Sequence, residues 1–156
     1  MKIVVASDSH YYNDVLNEIV EKNPDAKLFL HCGDLEGDPM EYPQWIFVRG
    51  NNDYMPGMQD MRSLELDGHR ILMLHSHRCS YCSREEQLMH LAMEHECDIV
   101  LYGHTHVANV VRKNGILIMN PGSTFHCRDG KSPSYATLEI DGNRVCLLYT
   151  SDAADE

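Results

Sequence analysis

The chain has 156 residues, 43% of them hydrophobic, and a formal net charge of −11 at neutral pH. That length suits one domain with a substantial core, and the acidic balance argues against duplex nucleic acid as a partner, because phosphate contacts need a basic surface. No apolar run approaches a membrane span and the first strand-like run starts at Lys2, so no membrane partner, no signal peptide and a cytoplasmic location are expected.

Short apolar runs rich in β-branched residues read as buried strands. Lys2 to Ala6 is the first, followed by Asp8-Ser9-His10. Asp14 to Lys22 then carries Val15, Leu16, Ile19 and Val20 at helical spacing, closed by Asn23-Pro24, which completes a βαβ unit with the run Lys27 to Leu30. Gly33-Asp34 follows that second run, and Gly50-Asn51-Asn52-Asp53 follows a third, Trp45 to Val48. Residues 53–60, with Tyr54, two methionines and Pro56-Gly57, read as a loop beside these clusters. Arg70 to Leu74 leads into His75. Residues 84–96 form a second amphipathic helix through Leu88, Leu91 and Ala92, with Ser83 as N-cap, Glu86 at the capping-box position, and Met89 and Met93 as packing residues. Asp98 to Tyr102 ends in Gly103-His104-Thr105-His106. Turn signals at Asp67-Gly68, Asn114-Gly115 and Asp141-Gly142 separate strand-like runs and predict hairpins. The expected fold class is α/β, a mixed two-sheet β-sandwich flanked by helices.

Each polar cluster falls at the C-terminal end of a strand, where open α/β sheets place their ligands. Asp8 and His10, like His104 and His106, stand two apart, and in an extended segment that spacing directs both side chains to one side. Imidazole nitrogen and carboxylate oxygen together suit manganese, iron or zinc better than calcium.

The order Asp-x-His, Gly-Asp, Gly-Asn-x-Asp, His, Gly-His-x-His resembles the calcineurin-like metallophosphoesterase superfamily, in particular its small single-domain phosphodiesterase branch in bacteria and archaea. The loop Asn120-Pro121-Gly122-Ser123 resembles that branch too. The resemblance implies two divalent metal ions, manganese first, with iron, nickel, cobalt or zinc as alternatives. It places Asp8, His10, Asp34 and His106 at one ion and Asp34, Asn51, His75 and His104 at the other, with Asp34 bridging. Two cations roughly 3.5–4 Å apart can hold a bridging hydroxide and polarise a phosphoryl group for in-line displacement. The implied function is a metal-dependent phosphodiesterase acting on a small phosphorylated substrate.

One departure bears on substrate choice. Many members of the superfamily carry His directly after the ligand Asn, and this chain has Asn52 there, which has no proton to give a leaving group at neutral pH. Diesters with acidic leaving groups are therefore expected to react better than alkyl monoesters. His77 is the nearest spare acid, expected either to face the metals or the substrate or to be a solvent-facing loop histidine. Asp53 is expected either to accept a hydrogen bond from a ligand histidine or to cap a helix. Arg128 is expected either to fork onto a phosphate or to be an exposed charge on its Gly-containing loop. His31, His69, His90, His95 and His126 read as structural or exposed.

Six cysteines in a chain without an export signal read as reduced thiols. Cys79-x-x-Cys82 has only Cys127 as a loose third partner for zinc. Residues 146–156 resemble the in-frame translation of a transposase sequencing adapter, so the expected domain is 1–145 with 146–156 as an appended tail. The runner-up functions are a phosphomonoesterase or dinucleoside polyphosphate hydrolase, and a non-catalytic scaffold of the same fold, as in the retromer scaffold subunit. Nothing in the sequence fixes an oligomeric state.

Overall fold

A computed structural model describes residues 1–125 and 132–151 of the chain. Strands β1 (Lys2–Ala6), β2 (Leu28–His31) and β3 (Trp45–Phe47) pair in parallel, with helix α1 (Asp14–Lys22) crossing from β1 to β2. β9 (Ser134–Asp141) and β10 (Arg144–Ser151) extend this sheet antiparallel on the far side of β1, in the order β10-β9-β1-β2-β3. In the second sheet β5 (His69–Leu74), β6 (Ile99–Tyr102) and β8 (Ile116–Asn120) run parallel, with helix α2 (Arg84–Glu94) crossing from β5 to β6. β4 (Met61–Leu66) and β7 (Asn109–Lys113) form its antiparallel edges, in the order β4-β5-β6-β8-β7. This is the expected mixed two-sheet α/β sandwich.

Side-chain alternation explains why the central strands are apolar throughout. Ile3 and Val5 of β1 join Leu30, Ile71, Met73, Ile99, Leu101 and Leu138 in the layer between the sheets, whereas Val4 and Ala6 face α1. Val100 and Tyr102 of β6 likewise face α2 through Leu88 and Ala92. No side chain caps the N-terminus of α1, which costs about 1 kcal/mol. Full burial of Leu16 and Ile19, roughly 1.5–3 kcal/mol each, outweighs that loss.

The hairpins fall where the sequence places them. Asp67-Gly68 and Asn114-Gly115 both take positive φ (49° and 82°, 54° and 76°), as a tight hairpin between right-twisted strands requires. β10 keeps register with β9 from Arg144↔Asp141 to Ser151↔Ser134, past residue 145 where the expected domain ended. Leu147 and Tyr149 of β10 pack onto the inner core, and the Tyr149 hydroxyl lies 2.7 Å from the Asn120 carbonyl and 3.0 Å from that of Asn109, across the sandwich. Residues 152–156 of the expected tail lie outside the described residues.

Two local expectations fail. Ser83 makes no capping hydrogen bond; its hydroxyl accepts from Gln87 Nε2 (3.1 Å), while Gln87 Oε1 accepts from Ser80 N, so a glutamine one turn in holds the entry to α2 instead of Glu86. Met93 is 64% exposed and does not pack, whereas Met89 lies against the α2 core. Among the described residues no helix is long and apolar enough to cross a membrane.

Candidate metal centre

The C-terminal ends of β1, β2, β3, β5 and β6 open at one end of the sandwich, and the predicted residues follow them. Backbone hydrogen bonds bind the loops to one another: Asp8 N to Gly33 O (3.0 Å), Gly103 N to His75 O (3.3 Å) and Thr124 N to Ser7 O (3.2 Å). Asn120 reinforces them, donating to Gly103 O and Thr105 Oγ1, and Ser123 Oγ donates to Asp8 O.

The structure brings Asp8, His10, Asp34, Asn51, His75, His104 and His106 together. Asp8 Oδ1 lies 3.3 Å from His106 Nε2, 3.6 Å from His10 Nε2 and 3.7 Å from His75 Nε2. Asp34 Oδ2 is 3.3 Å from His75 Nε2 and 3.8 Å from His10 Nε2, so it faces both halves of the cluster. His104 Nδ1 completes the second half, 3.3 Å from His75 Nε2 and 3.2 Å from Asn51 Oδ1. Two compact groups of potential ligand atoms emerge, Asp8 with His10 and His106, and Asp8 with Asp34 and His75.

Three features fit these groups to cations. First, Asp8 Oδ1 is buried without a hydrogen-bond partner, although Asp8 Oδ2 accepts from Ser7 Oγ (2.6 Å) and His104 N (3.0 Å). Second, the ring nitrogens on the far side are committed: His75 Nδ1–H donates to Cys32 O (2.8 Å) and His10 Nδ1–H donates to Glu36 Oε2 (2.5 Å). Their Nε2 lone pairs then face carboxylate oxygens, an arrangement that repels unless a proton or a cation lies between. Third, glycine makes the room. A Cβ on Gly103 would fall against Ser7 Oγ and 2.8 Å from Asp8 Oδ2, and one on Gly50 would fall against Asp34 Oδ1.

The electrostatics agree. Burial opposes the charge on Asp8, yet the imidazoles of His10, His106 and His75 hold its carboxyl well below the usual carboxylate range. Asp8, followed by Glu36, raises His10 to about 9. Burial first, then His75 and Arg84, push His104 down to about 4.

The route by which spacing brings the residues together differs from the expectation. Asp8 (φ 55°), His10 (46°), Asp34 (60°), His104 (76°) and His106 (61°) sit in left-handed backbone, so tight turns and not strand alternation turn each pair inward. Such conformations cost of order 1–3 kcal/mol each and persist where surrounding structure over-determines them.

Asp53 neither accepts from a histidine nor caps a helix. Its carboxylate accepts from the backbone N–H groups of Asp34 (2.8 Å), Gly50 (2.7 Å) and Glu36 (2.8 Å), clamping the loops that carry Asp34 and Asn51. Asn52 donates from its backbone and its Nδ2 to the two oxygens of Asp34 (3.0 and 3.1 Å), so its amide orients that carboxylate. The His77 ring lies beside the cluster, its centre 6.3 Å from that of His104, and burial, His75 and Arg78 lower its pKa, which favours the neutral base. Cys79 and Cys82 are free thiols outside both groups of ligand atoms. Arg128, Cys127 and His126 lie outside the described residues. Sequence reasoning missed Glu36, whose only signal is its position two residues after Asp34.

Comparison with known proteins agrees with the geometry. The family described as the calcineurin-like phosphoesterase superfamily domain matches residues 1–143. The probable metallophosphoesterase YsnB of Bacillus subtilis is 28% identical over 159 residues, covering 100% of this chain and 94% of that one. A predicted phosphoesterase of Streptococcus pneumoniae superposes with a TM-score of 0.89 at 29% identity, covering 96% of this chain and 88% of that one. Vps29 of Entamoeba histolytica, solved in complex with zinc, superposes with a TM-score of 0.76 over 97% of this chain and 99% of that one; at 21% identity the likeness is one of fold.

Proposed function

The chain belongs to the calcineurin-like phosphoesterase superfamily, whose members depend on metal, and from that premise we propose that it is a dinuclear phosphodiesterase acting on a small phosphorylated substrate. Asp8, His10, Asp34 and His106 would hold one divalent cation and Asp34, Asn51, His75 and His104 the other, manganese first, with iron, nickel, cobalt or zinc as alternatives. The observation that carries the reading is Asp8 Oδ1, buried and bare amid the Nε2 atoms of three histidines. When bound, such a pair supplies Lewis acidity at the phosphoryl oxygens and lowers the pKa of water.

The protein's own groups set the rest. Glu36 and the Cys32 carbonyl fix His10 and His75 in the tautomer that turns Nε2 inward, and Asn52 and Asp53 hold Asp34 and its loop. With its amide committed to Asp34 and no proton to give, Asn52 leaves the departing group unprotonated. Substrates whose leaving group departs as a stable anion are favoured, and alkyl monoesters are not.

The likeness in fold to Vps29 allows a second reading, a non-catalytic scaffold of the same fold. Hydrolysis of an aryl phosphodiester and an aryl monoester separates the two, using chelator-stripped protein with manganese restored, beside His104→Ala and Asn52→His. The enzymatic reading predicts diester turnover that needs manganese, is lost in His104→Ala, and gains monoester turnover in Asn52→His. Silence of the metal-loaded protein on both esters would favour the scaffold.

A further inference from the structure

Beside the metal centre lies a cavity of about 590 Å³, lined by His104 and Thr105 from the β6 loop, by Tyr81, Arg84 and Glu85 at the start of α2, and by Tyr102. We infer that this cavity is an anion subsite in which Arg84 holds a second phosphate of the substrate, one that is not itself cleaved. The inference rests on the phosphoesterase reading and adds a substrate class to it: phosphate esters bearing another ionised phosphate.

Arg84 is placed for that task and is engaged in no other among the described residues. Arg49 and Arg78 both meet Asp60, and Arg70 meets Glu65 and Glu96. The Nε of Arg84 is buried without a partner, and among the described residues its guanidinium forms no hydrogen bond or ion pair, although Glu85 is its neighbour in sequence. A buried donor left unsatisfied costs about 1–3 kcal/mol, which a ligand oxygen would relieve. A guanidinium fork also matches two phosphate oxygens at once. The first turn of α2 adds the positive end of its dipole, uncapped by Ser83. His104 lines this cavity as well as the metal centre, so the two sites adjoin and one substrate can reach both. Glu85 opposes an anion here, so Arg84 is the one side chain among those named that draws it.

Two probes test the subsite. The p-nitrophenyl ester of thymidine 5′-phosphate is compared with the same ester carrying a 3′-phosphate, in wild type, Arg84→Gln, Arg84→Lys and Glu85→Gln. The wild type should favour the bisphosphate by about tenfold in kcat/KM, chiefly through KM, the scale of one charge-assisted contact. Arg84→Gln should bring the ratio near unity, Arg84→Lys should restore part of it, and Glu85→Gln should increase it. A ratio unchanged in Arg84→Gln, even with both esters slowed, overturns the subsite and leaves Arg84 a packing residue. The second probe is inorganic phosphate titrated into chelator-treated protein, read by the Arg84 Nε–H resonance. Saturable perturbation supports the subsite, and its absence overturns it even where both esters are cleaved. Neither ester cleaved with saturable binding retained sinks the phosphodiesterase reading and upholds the anion site.

Discussion

Strand β5 carries a histidine at each end, and the two differ in how their nitrogens are met. His69, at its start, has Nδ1 at 2.5 Å from Asp98 Oδ2 and Nε2 at 2.6 Å from the Gly142 carbonyl, so both nitrogens face acceptors and the charged ring is satisfied. His75, just past its end, donates through Nδ1 and leaves Nε2 facing the carboxylates of Asp34 and Asp8, where a proton or a cation must lie between. The first closes one sheet against the hairpin of the other. The second is held ready for something that is not protein. One end of the sandwich is thus built for stability, while the opposite end concentrates left-handed backbone and a bare carboxylate oxygen, the features that binding a cation would justify.

If the two ends divide in this way, substitutions should affect activity at one end and stability at the other. Asp34→Ala is expected to lower manganese-dependent diester hydrolysis by more than about 100-fold, since even supporting contacts to metal ligands are worth 10–100-fold. Its thermal midpoint without metal should not fall; a cooperative loss of fold would break the division. Glu36→Gln should weaken manganese affinity by roughly 10-fold or more by loosening the tautomer of His10, measured by competition with a chelating dye. Gly103→Ala should affect both properties, because its Cβ would meet Ser7 and Asp8; a destabilisation of roughly 1–3 kcal/mol by urea titration is expected, with activity reduced. His69→Gln should cost about 1–2 kcal/mol at pH 6 with kcat preserved. The Gly142 carbonyl, then Asp98, raise the folded-state pKa of His69 above its ordinary 6.5, so its contribution is full below that value and fades as pH rises through the raised one. The cost of His69→Gln should therefore shrink as pH rises above neutrality, and a pH-independent cost would remove the charged ring from the account.

The parts legible in the sequence were those with a period or a turn chemistry. β1 and α1 match their expected spans because alternate burial and the Val15, Leu16, Ile19 spacing leave few other solutions, and Asp67-Gly68 and Asn114-Gly115 dictate their turns. The seven candidate ligands were legible as residue types after strands. Their convergence was not, because it depends on left-handed turns at Asp8, His10, Asp34, His104 and His106 that periodicity does not encode. Asp53 was misjudged because its partners are backbone amides of other loops, and Arg84 was overlooked because it meets no partner among the described residues that a motif could announce.

The central claim is that the cluster holds two cations, with Asp34 shared between them. Equilibrium dialysis of chelator-stripped wild type and Asp34→Ala against manganese tests it most directly. The account predicts two manganese ions per chain in the wild type and at most one, weakly held, in Asp34→Ala. One ion in both proteins, or two in a protein lacking the Asp34 carboxylate, would contradict it.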